Sequence, residues 1–450
     1  MEEGNLTSAS KPSTNSGRTV SNKALMLLIY TPQSTLRLQY ICKYIFEQLG
    51  LSYSITQHTH GFVDYDGVRI NYSGENIPDC FTIKPSGLLQ AKSVLPVDVD
   101  YAATENLPVL FHQQGGDLPF DIFSASFYLV SRYEEYLSYE PDAYDRFPFR
   151  DSIAYKNGFL NRPLVDEWVI WFGKKLSERY RNVKIKIPEL TVLPTYDIDM
   201  AWSYRNKGLL RNIGGMITRP GLERMAVLTG LKKDPFDCYE FLNNLHEKNN
   251  LNPLYFFLIA EKSGVYDKNI SPGNASFQKL IKEHARKYEI GLHPSWQSHD
   301  DAEILKNEKI TLENIASVSV QRSRQHYIRM KLPETYERLL QAGIKDDYSM
   351  GYGSVNGFRA AVNRSFPWYN LAKEKIESLI IHPFCFMDAN SHYEQKQAIE
   401  ESKEEIMYYL KICKAVGGKM ITVFHNSFLG SGSEFSGWKS LYTDFIRSAV

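Results

Sequence analysis

Cysteine is scarce in this chain and carries no pattern. There are five, Cys42, Cys80, Cys238, Cys385 and Cys413, an odd number with no Cys-x-x-Cys pair. That excludes a disulfide-framed scaffold and a zinc knuckle, and leaves reduced core thiols of a cytosolic protein as the expectation. An excess of either charge is also lacking: 52 Lys and Arg stand against 52 Asp and Glu. A general nucleic-acid binder would carry a basic excess, so no nucleic-acid partner is expected. Long apolar runs are missing too. The segment "KALMLLIY" at 23–30 falls far short of the roughly 20 residues that cross a bilayer. The stretch before it, "MEEGNLTSASKPSTNSGRTVSN", is polar and has no apolar signal-peptide core. Residues 1–22 are read as a disordered tail, and neither a signal peptide nor a membrane span is expected.

What the chain does hold is enough apolar material for a large core: 43% hydrophobic residues, with 29 Tyr and 24 Phe, in 450 residues. That length suits two or three domains of roughly 150 residues, or a larger barrel with a companion. Residues 23–185 mix their signals. "ALMLLIY" and "LSYSITQ" read as strands, and "LRLQYICKYIFEQLG" is a helix stopped by Gly50. "FVDYDGVRINYSG" suggests a hairpin turning at Asp66-Gly67, "DIFSASFYLVSRYEEYLSYE" a long helix, and "PLVDEWVIWFGKKLSERY" another. This part is expected to be an α+β domain with a core of its own and without recognisable chemistry.

From about 186 to 450 a rhythm takes over. Strands are expected at 190–196, 253–259, 287–293, 319–328, 343–349, 378–386 and 419–425. Helices fall between them at 237–249 (with an Asp237/Glu240 capping box), 276–286, 333–342, 368–377 and 394–416. Alternation of this kind implies parallel strands with crossover helices, and the count suits a closed barrel. Function in such barrels gathers at the carboxyl ends of the strands. The polar residues there are Asp197 and Asp199, His293, Arg324 and His326, Arg359, His382 and Asp388, and His425. Asp197 and Asp199 are two apart, so in an extended segment both aim to one side; a turn or helix cap would also accommodate them. Carboxylate with imidazole suits Zn²⁺ or a similar divalent ion, and an acid left over beside it can act as a general base. His284, His299 and His392 are read as solvated or helix-face histidines. Trp202 and Trp296 could be a sugar platform or core packing.

The order and contexts of these residues resemble the polysaccharide deacetylase family, the NodB-homology carbohydrate esterases, over roughly 190–430. The carriers are Thr195-Tyr196-Asp197-Ile198-Asp199, Glu289-Ile290-Gly291-Leu292-His293, Phe358-Arg359 and Val423-Phe424-His425. The resemblance implies a distorted (β/α)7 barrel of the NodB-homology type, preceded by a smaller α+β domain, since "FDIFSASFYLVSRYEEYL", "YKNGFLNRPLVDEW" and "SRQHY" look like a bacterial subgroup with an N-terminal domain of unknown function. It implies Asp197 as catalytic base, Arg359 orienting it, His425 as acid, and Asp199 and His293 as ligands of a divalent metal, with Zn²⁺ foremost and Co²⁺ or Mn²⁺ as alternatives. The family places a second histidine four residues after His293, where this chain has Gln297. His326, at the next strand end, is the expected replacement, with Gln297 a weak oxygen ligand or a hydrogen-bonding neighbour. The implied activity is removal of an acyl group, most simply acetyl, from a carbohydrate or glycan precursor in the cytoplasm. A degenerate carbohydrate-binding barrel and a hydrolase of a non-sugar amide are the alternatives.

Overall fold

The computed structural model describes residues 26–105, 107–207 and 222–450, and the expected tail at 1–22 lies outside them. In the first part, β1 (Met26–Tyr30), β2 (Ser52–Thr56), β3 (Val68–Tyr72) and β4 (Phe81–Ile83) form one sheet in the order β2-β1-β3-β4. Every pairing in it is parallel. The helix Leu36–Leu49 makes the first crossover. Thr35 accepts a hydrogen bond from the Leu38 amide to start it, and Gly50, at φ 66°, ends it in the left-handed region that glycine adopts without penalty. Its Leu38, Ile41, Ile45 and Phe46 are fully buried.

Two expectations fail here. The hairpin at Asp66-Gly67 does not form: Thr59–Val63 is a short helix, and β3 pairs in parallel with β1. The helix expected from Asp121 through Glu140 stops after Val130, because Arg132 takes φ 56° and a 3₁₀ turn follows at Tyr133–Tyr136. A two-stranded antiparallel pair, β5 (Tyr101–Thr104) with β6 (Leu107–Leu110), and the helix Leu164–Arg179 complete this part.

The second sheet comprises β7 (Leu190–Ile198), β8 (Leu254–Leu258), β9 (Glu289–His293), β10 (Arg322–Ser323), β11 (Asp346–Asp347), β12 (Phe366–Asn370), β13 (Lys375–Ile381), β14 (Phe386–Met387) and β15 (Gly418–His425). Their order is β12-β13-β11-β10-β9-β8-β7-β15-β14. All neighbours are parallel except β12 with β13. The architecture is mixed α/β, and this order of pairing does not by itself draw a closed ring. One segment nevertheless serves both sides of the sheet: β13 bonds to β11, and β14, a few residues on, bonds to β15. The helix expected at 368–377 is instead the β12–β13 hairpin, turning at Glu374 with φ 48°. Phe366, Trp368 and Tyr369 are buried there, as β-prone aromatics on a pleated surface should be. The expected Asp237/Glu240 capping box is absent too, since Cys238 caps the helix Tyr239–Lys248 without a side-chain bond.

The two parts share a single contiguous cluster of buried hydrophobic residues, although no strand of one sheet pairs with the other among the described residues. A buried charge network crosses between them. Arg359 donates from Nε and Nη2 to the two carboxylate oxygens of Glu135, at 2.8 and 2.6 Å. Arg132 donates to Glu135 at 2.7 Å, to Glu134 at 2.9 Å and to the Arg359 carbonyl. Two guanidinium and two carboxylate groups thus neutralise each other where water is excluded. This corrects the role expected for Arg359: it is committed to Glu135 and makes no contact with Asp197.

A buried ion pair that loses one partner leaves an uncompensated charge, at a cost of about 3–5 kcal/mol. Glu135→Ala should therefore lower unfolding stability by about that much in urea titration, whereas Glu47→Ala in the exposed Lys43–Glu47 pair should change it by less than about 1 kcal/mol. Equal effects of the two substitutions would contradict the structural role of the network.

Candidate metal centre and active site

β7 brings the first acids to the site. Asp197 sits opposite His425 of β15 and Phe256 of β8, and Asp199 follows just past the strand's end on the same side. They line a cavity of about 330 Å³ together with His293, His326, Tyr327 and His425. The end of β9 supplies His293, and the turn after β10 supplies His326.

Asp199, His293 and His326 converge, one ligand atom from each lying within 4.8 Å of the other two. His293 Nε2 is 3.2 Å from Asp199 Oδ1, and His326 Nε2 is 3.6 Å from Asp199 Oδ2. The opposite edge of each ring is engaged. His293 Nδ1 meets the Arg324 carbonyl at 2.6 Å, and His326 Nδ1 meets the Asp267 carboxylate at 3.0 Å. A carbonyl or carboxylate can only accept, so both Nδ1 atoms donate. In the neutral rings, both Nε2 atoms therefore present lone pairs toward Asp199, the arrangement seen in histidines that bind metals. Asp199 Oδ1 is buried and has no hydrogen-bond partner. Three lone-pair donors facing one point, one of them an orphaned buried oxygen, fit a divalent cation such as Zn²⁺.

The charges respond to this crowding. Burial favours a neutral Asp199, but His326, His293 and His425 outweigh it and hold the carboxyl well below its usual range. Burial likewise favours a neutral His326, yet Asp199 and Asp267 push it up to about 9. His425 is raised to about 10 against burial, chiefly by Asp388, then by Asp199. Asp388 is fully buried and binds His425 twice, accepting from the backbone amide at 2.7 Å and from Nδ1 at 2.6 Å. His425 Nε2 faces the cavity, 3.7 Å from Asp199 Oδ2.

The arginine that holds Asp197 is Arg324. Its Nη1 donates to Asp197 Oδ1 at 2.8 Å and its Nε to the Tyr348 carbonyl at 3.0 Å. Its guanidinium lies over the Phe256 ring, 4.5 Å from the centroid. Sequence reasoning placed Arg324 on the rim but assigned this role to Arg359. The i, i+2 spacing of Arg324 and His326 was the available signal. Asp267 was missed altogether, because it lies in the loop after β8 with no motif around it.

Other expected residues are elsewhere. Gln297 lines a separate cavity of about 440 Å³ with Ser295 and Glu308, away from the three converging groups. His382 is satisfied by Ser365 and Asp346, at 2.7 and 2.8 Å. Trp202 is buried, and Trp296 stacks on Tyr266 at 3.9 Å; neither lines the cavity that holds Asp199. His284 and His299 are buried and not solvated. Burial lowers both to about 4, helped at His299 by Arg329.

Residues 27–181 match a family of unknown function, DUF7033. A search of the curated proteins finds no match. Among solved structures, a protein described as a polysaccharide deacetylase from Mycobacterium smegmatis superposes with TM-score 0.39 at 15% identity, covering 58% of this chain and 84% of its own. The polysaccharide deacetylase of Bacillus cereus gives 0.31 at 11%, covering 57% and 87%. A CE4-family pseudoenzyme from Bacillus anthracis gives 0.30 at 9%, covering 58% and 63%. No helix among the described residues is long and apolar enough to cross a membrane.

The pocket makes a pH prediction for the metal-free protein. A histidine whose folded pKa is raised contributes stability that is complete below its unfolded value, about 6.5, and is lost as pH rises through the folded value. For His326, raised to about 9, stability in chelator should fall between roughly pH 6.5 and 9, by up to about 3 kcal/mol. Asp199→Asn should flatten that slope. Urea midpoints across the range check both.

Proposed function

We propose that this chain is a metal-dependent hydrolase that removes an acyl group, most simply acetyl, from an amino group of a carbohydrate. The convergence of Asp199, His293 and His326 is the observation that carries the reading. The residue resemblance to the polysaccharide deacetylases supplies the chemistry, and the segment 375–387, which pairs on both sides of the second sheet, supports reading that sheet as their distorted (β/α)7 barrel. His326 takes the place that the missing histidine at Gln297 leaves open. On this reading, the absence of a histidine at position 297 does not by itself argue for a degenerate, purely binding barrel.

Asp199, His293 and His326 would hold the ion. When bound, it supplies a Lewis acid for the acyl carbonyl and makes water a stronger acid. Asp197 takes the proton from the attacking water as general base. Arg324, bonded to Asp197 Oδ1, aims that carboxylate and leaves Oδ2 free for the proton. His425 faces Asp197 and Asp199 across the pocket and is protonated at neutral pH because Asp388 holds its other nitrogen. It gives its proton to the departing amine. The cavity lining contains no lysine or arginine among the described residues, which favours a neutral or amine-bearing sugar over an anionic one.

Zn²⁺ or Co²⁺ should bind at about one ion per chain by elemental analysis, and Asp199→Ala should abolish that binding. Asp197→Asn should keep the metal and lose acetate release by on the order of 10²-fold. A wild type that takes up no metal would end the catalytic reading, and release from small amides but not from N-acetylated sugars would redirect it. Asp388→Asn removes the carboxylate that keeps His425 protonated, so the basic limb of the kcat/KM profile should move to lower pH. An unmoved limb would remove His425 as the acid.

A further inference from the structure

The turn that carries His326 is strained and is braced from outside the second sheet. Tyr327 and Ile328 follow His326 directly, and both take positive φ, 57° and 52°. Neither is glycine and Ile is β-branched, so each costs on the order of 1–3 kcal/mol and persists only where neighbours enforce it. The enforcing groups come from the N-terminal part of the chain. Arg146 Nη1 donates to the Tyr327 carbonyl at 2.8 Å, and Arg146 is itself fixed by Asp142, which accepts from its Nε at 2.8 Å. Tyr144 stacks on the Tyr327 ring with centroids 5.4 Å apart and planes 14° from parallel. The same Tyr327 ring lies 4.5 Å from His326 and lines the cavity. Gly353 makes room for the brace. A Cβ there would collide with Arg146 Nη1 and fall 2.7 Å from the Tyr327 carbonyl oxygen. Ahead of this loop, the 3₁₀ turn at Tyr133–Tyr136 is tied to Arg359 through Glu135, which also accepts from Arg132.

From this we infer that the loop 142–146 is part of the active site, with Arg146 and Tyr144 acting as positioning residues for the ligand His326 and for the Tyr327 wall of the substrate pocket. The N-terminal region thereby completes a site whose reacting groups all lie beyond residue 190. The inference rests on the metal reading above. An unbraced turn would relax, carrying His326 Nε2 away from Asp199 and opening the pocket beside it.

The test is Co²⁺ affinity of the full-length protein, measured by competition with a chelating dye, which does not depend on turnover. Arg146→Ala should weaken Co²⁺ binding by at least tenfold and change the visible absorption of the bound ion, while Arg146→Lys recovers part of the affinity. Gly353→Ala, which deletes no interacting group, should reproduce the loss by displacing the guanidinium. Tyr144→Leu alters a partly exposed ring and serves if Arg146→Ala does not fold. It should raise KM for an N-acetylated sugar more than it lowers kcat. Folded variants that bind Co²⁺ and substrate as the wild type does would overturn the inference. Failure of the wild type itself to bind Co²⁺ would instead overturn the proposed function.

Discussion

A carboxylate oxygen and two imidazole nitrogens, all bearing lone pairs, repel one another unless protons or a cation sit between them. Asp199, His293 and His326 are held in that condition, within 4.8 Å. The backbone and side-chain acceptors behind the two rings prevent them from turning their N–H edges inward. Rotating either ring would strand a buried acceptor, at about 1–3 kcal/mol each. The site is therefore fixed by what lies behind it, and its affinity for positive charge follows from that arrangement. Asp388 does the same for His425, and Arg324 for Asp197.

Two buried arginines divide the labour at this end of the molecule. Arg324 neutralises Asp197 inside the sheet, and Arg359 neutralises Glu135 at the junction with the N-terminal part. Each guanidinium is desolvated, so each needs its carboxylate, and neither could be reassigned without leaving a charge buried alone. The Asp197–Arg324 pair and the junction are thus separate electrostatic units, and a change at one does not discharge the other.

The sequence made the donors of the candidate site legible and left their supports hidden. Asp197 and Asp199 could be placed because a period of two forces i and i+2 to one side, and His326 because it ends the next strand run after His293. Residue types at strand ends carry no information about which arginine reaches which acid, so Arg359 was paired with Asp197 on the strength of the motif, while the fold pairs Arg324 with it. Asp267 acts across 59 positions of sequence on His326, and separations of that kind leave no local pattern. The strands expected at 190–196, 253–259, 287–293 and 419–425 form over most of their length, whereas 319–328 and 343–349 keep only Arg322–Ser323 and Asp346–Asp347, and 378–386 runs from the end of β13 into β14. The β12–β13 hairpin was not legible, because "PWYNLAKEKIES" has helical spacing of charges that buried aromatic packing overrides. The segment around Asp66-Gly67 reads as a hairpin because that pair is a turn signal, but here it follows the helix Thr59–Val63 and leads into β3, which pairs in parallel with β1.

The shortness of β10 explains why so many outside contacts gather around it. Only Arg322 and Ser323 are in the strand, held by a single register pair to β9 and two to β11. Arg324 and His326 lie past its end, where no ladder fixes them. Each residue of this stretch is instead tied individually. The Arg324 amide donates to the Leu292 carbonyl at 3.0 Å, the Gln325 amide to Ser349 Oγ at 2.9 Å, His326 Nδ1 to Asp267, and the Tyr327 carbonyl accepts from Arg146. A regular strand would carry its side chains alternately inward and outward and could present at most every second residue to the pocket. Leaving the strand early lets His326 and Tyr327, adjacent in sequence, both face the cavity, and the strained backbone after His326 is the conformational consequence. The N-terminal part supplies the last of these ties, so the site depends on the junction between the two halves as well as on the sheet that carries its donors.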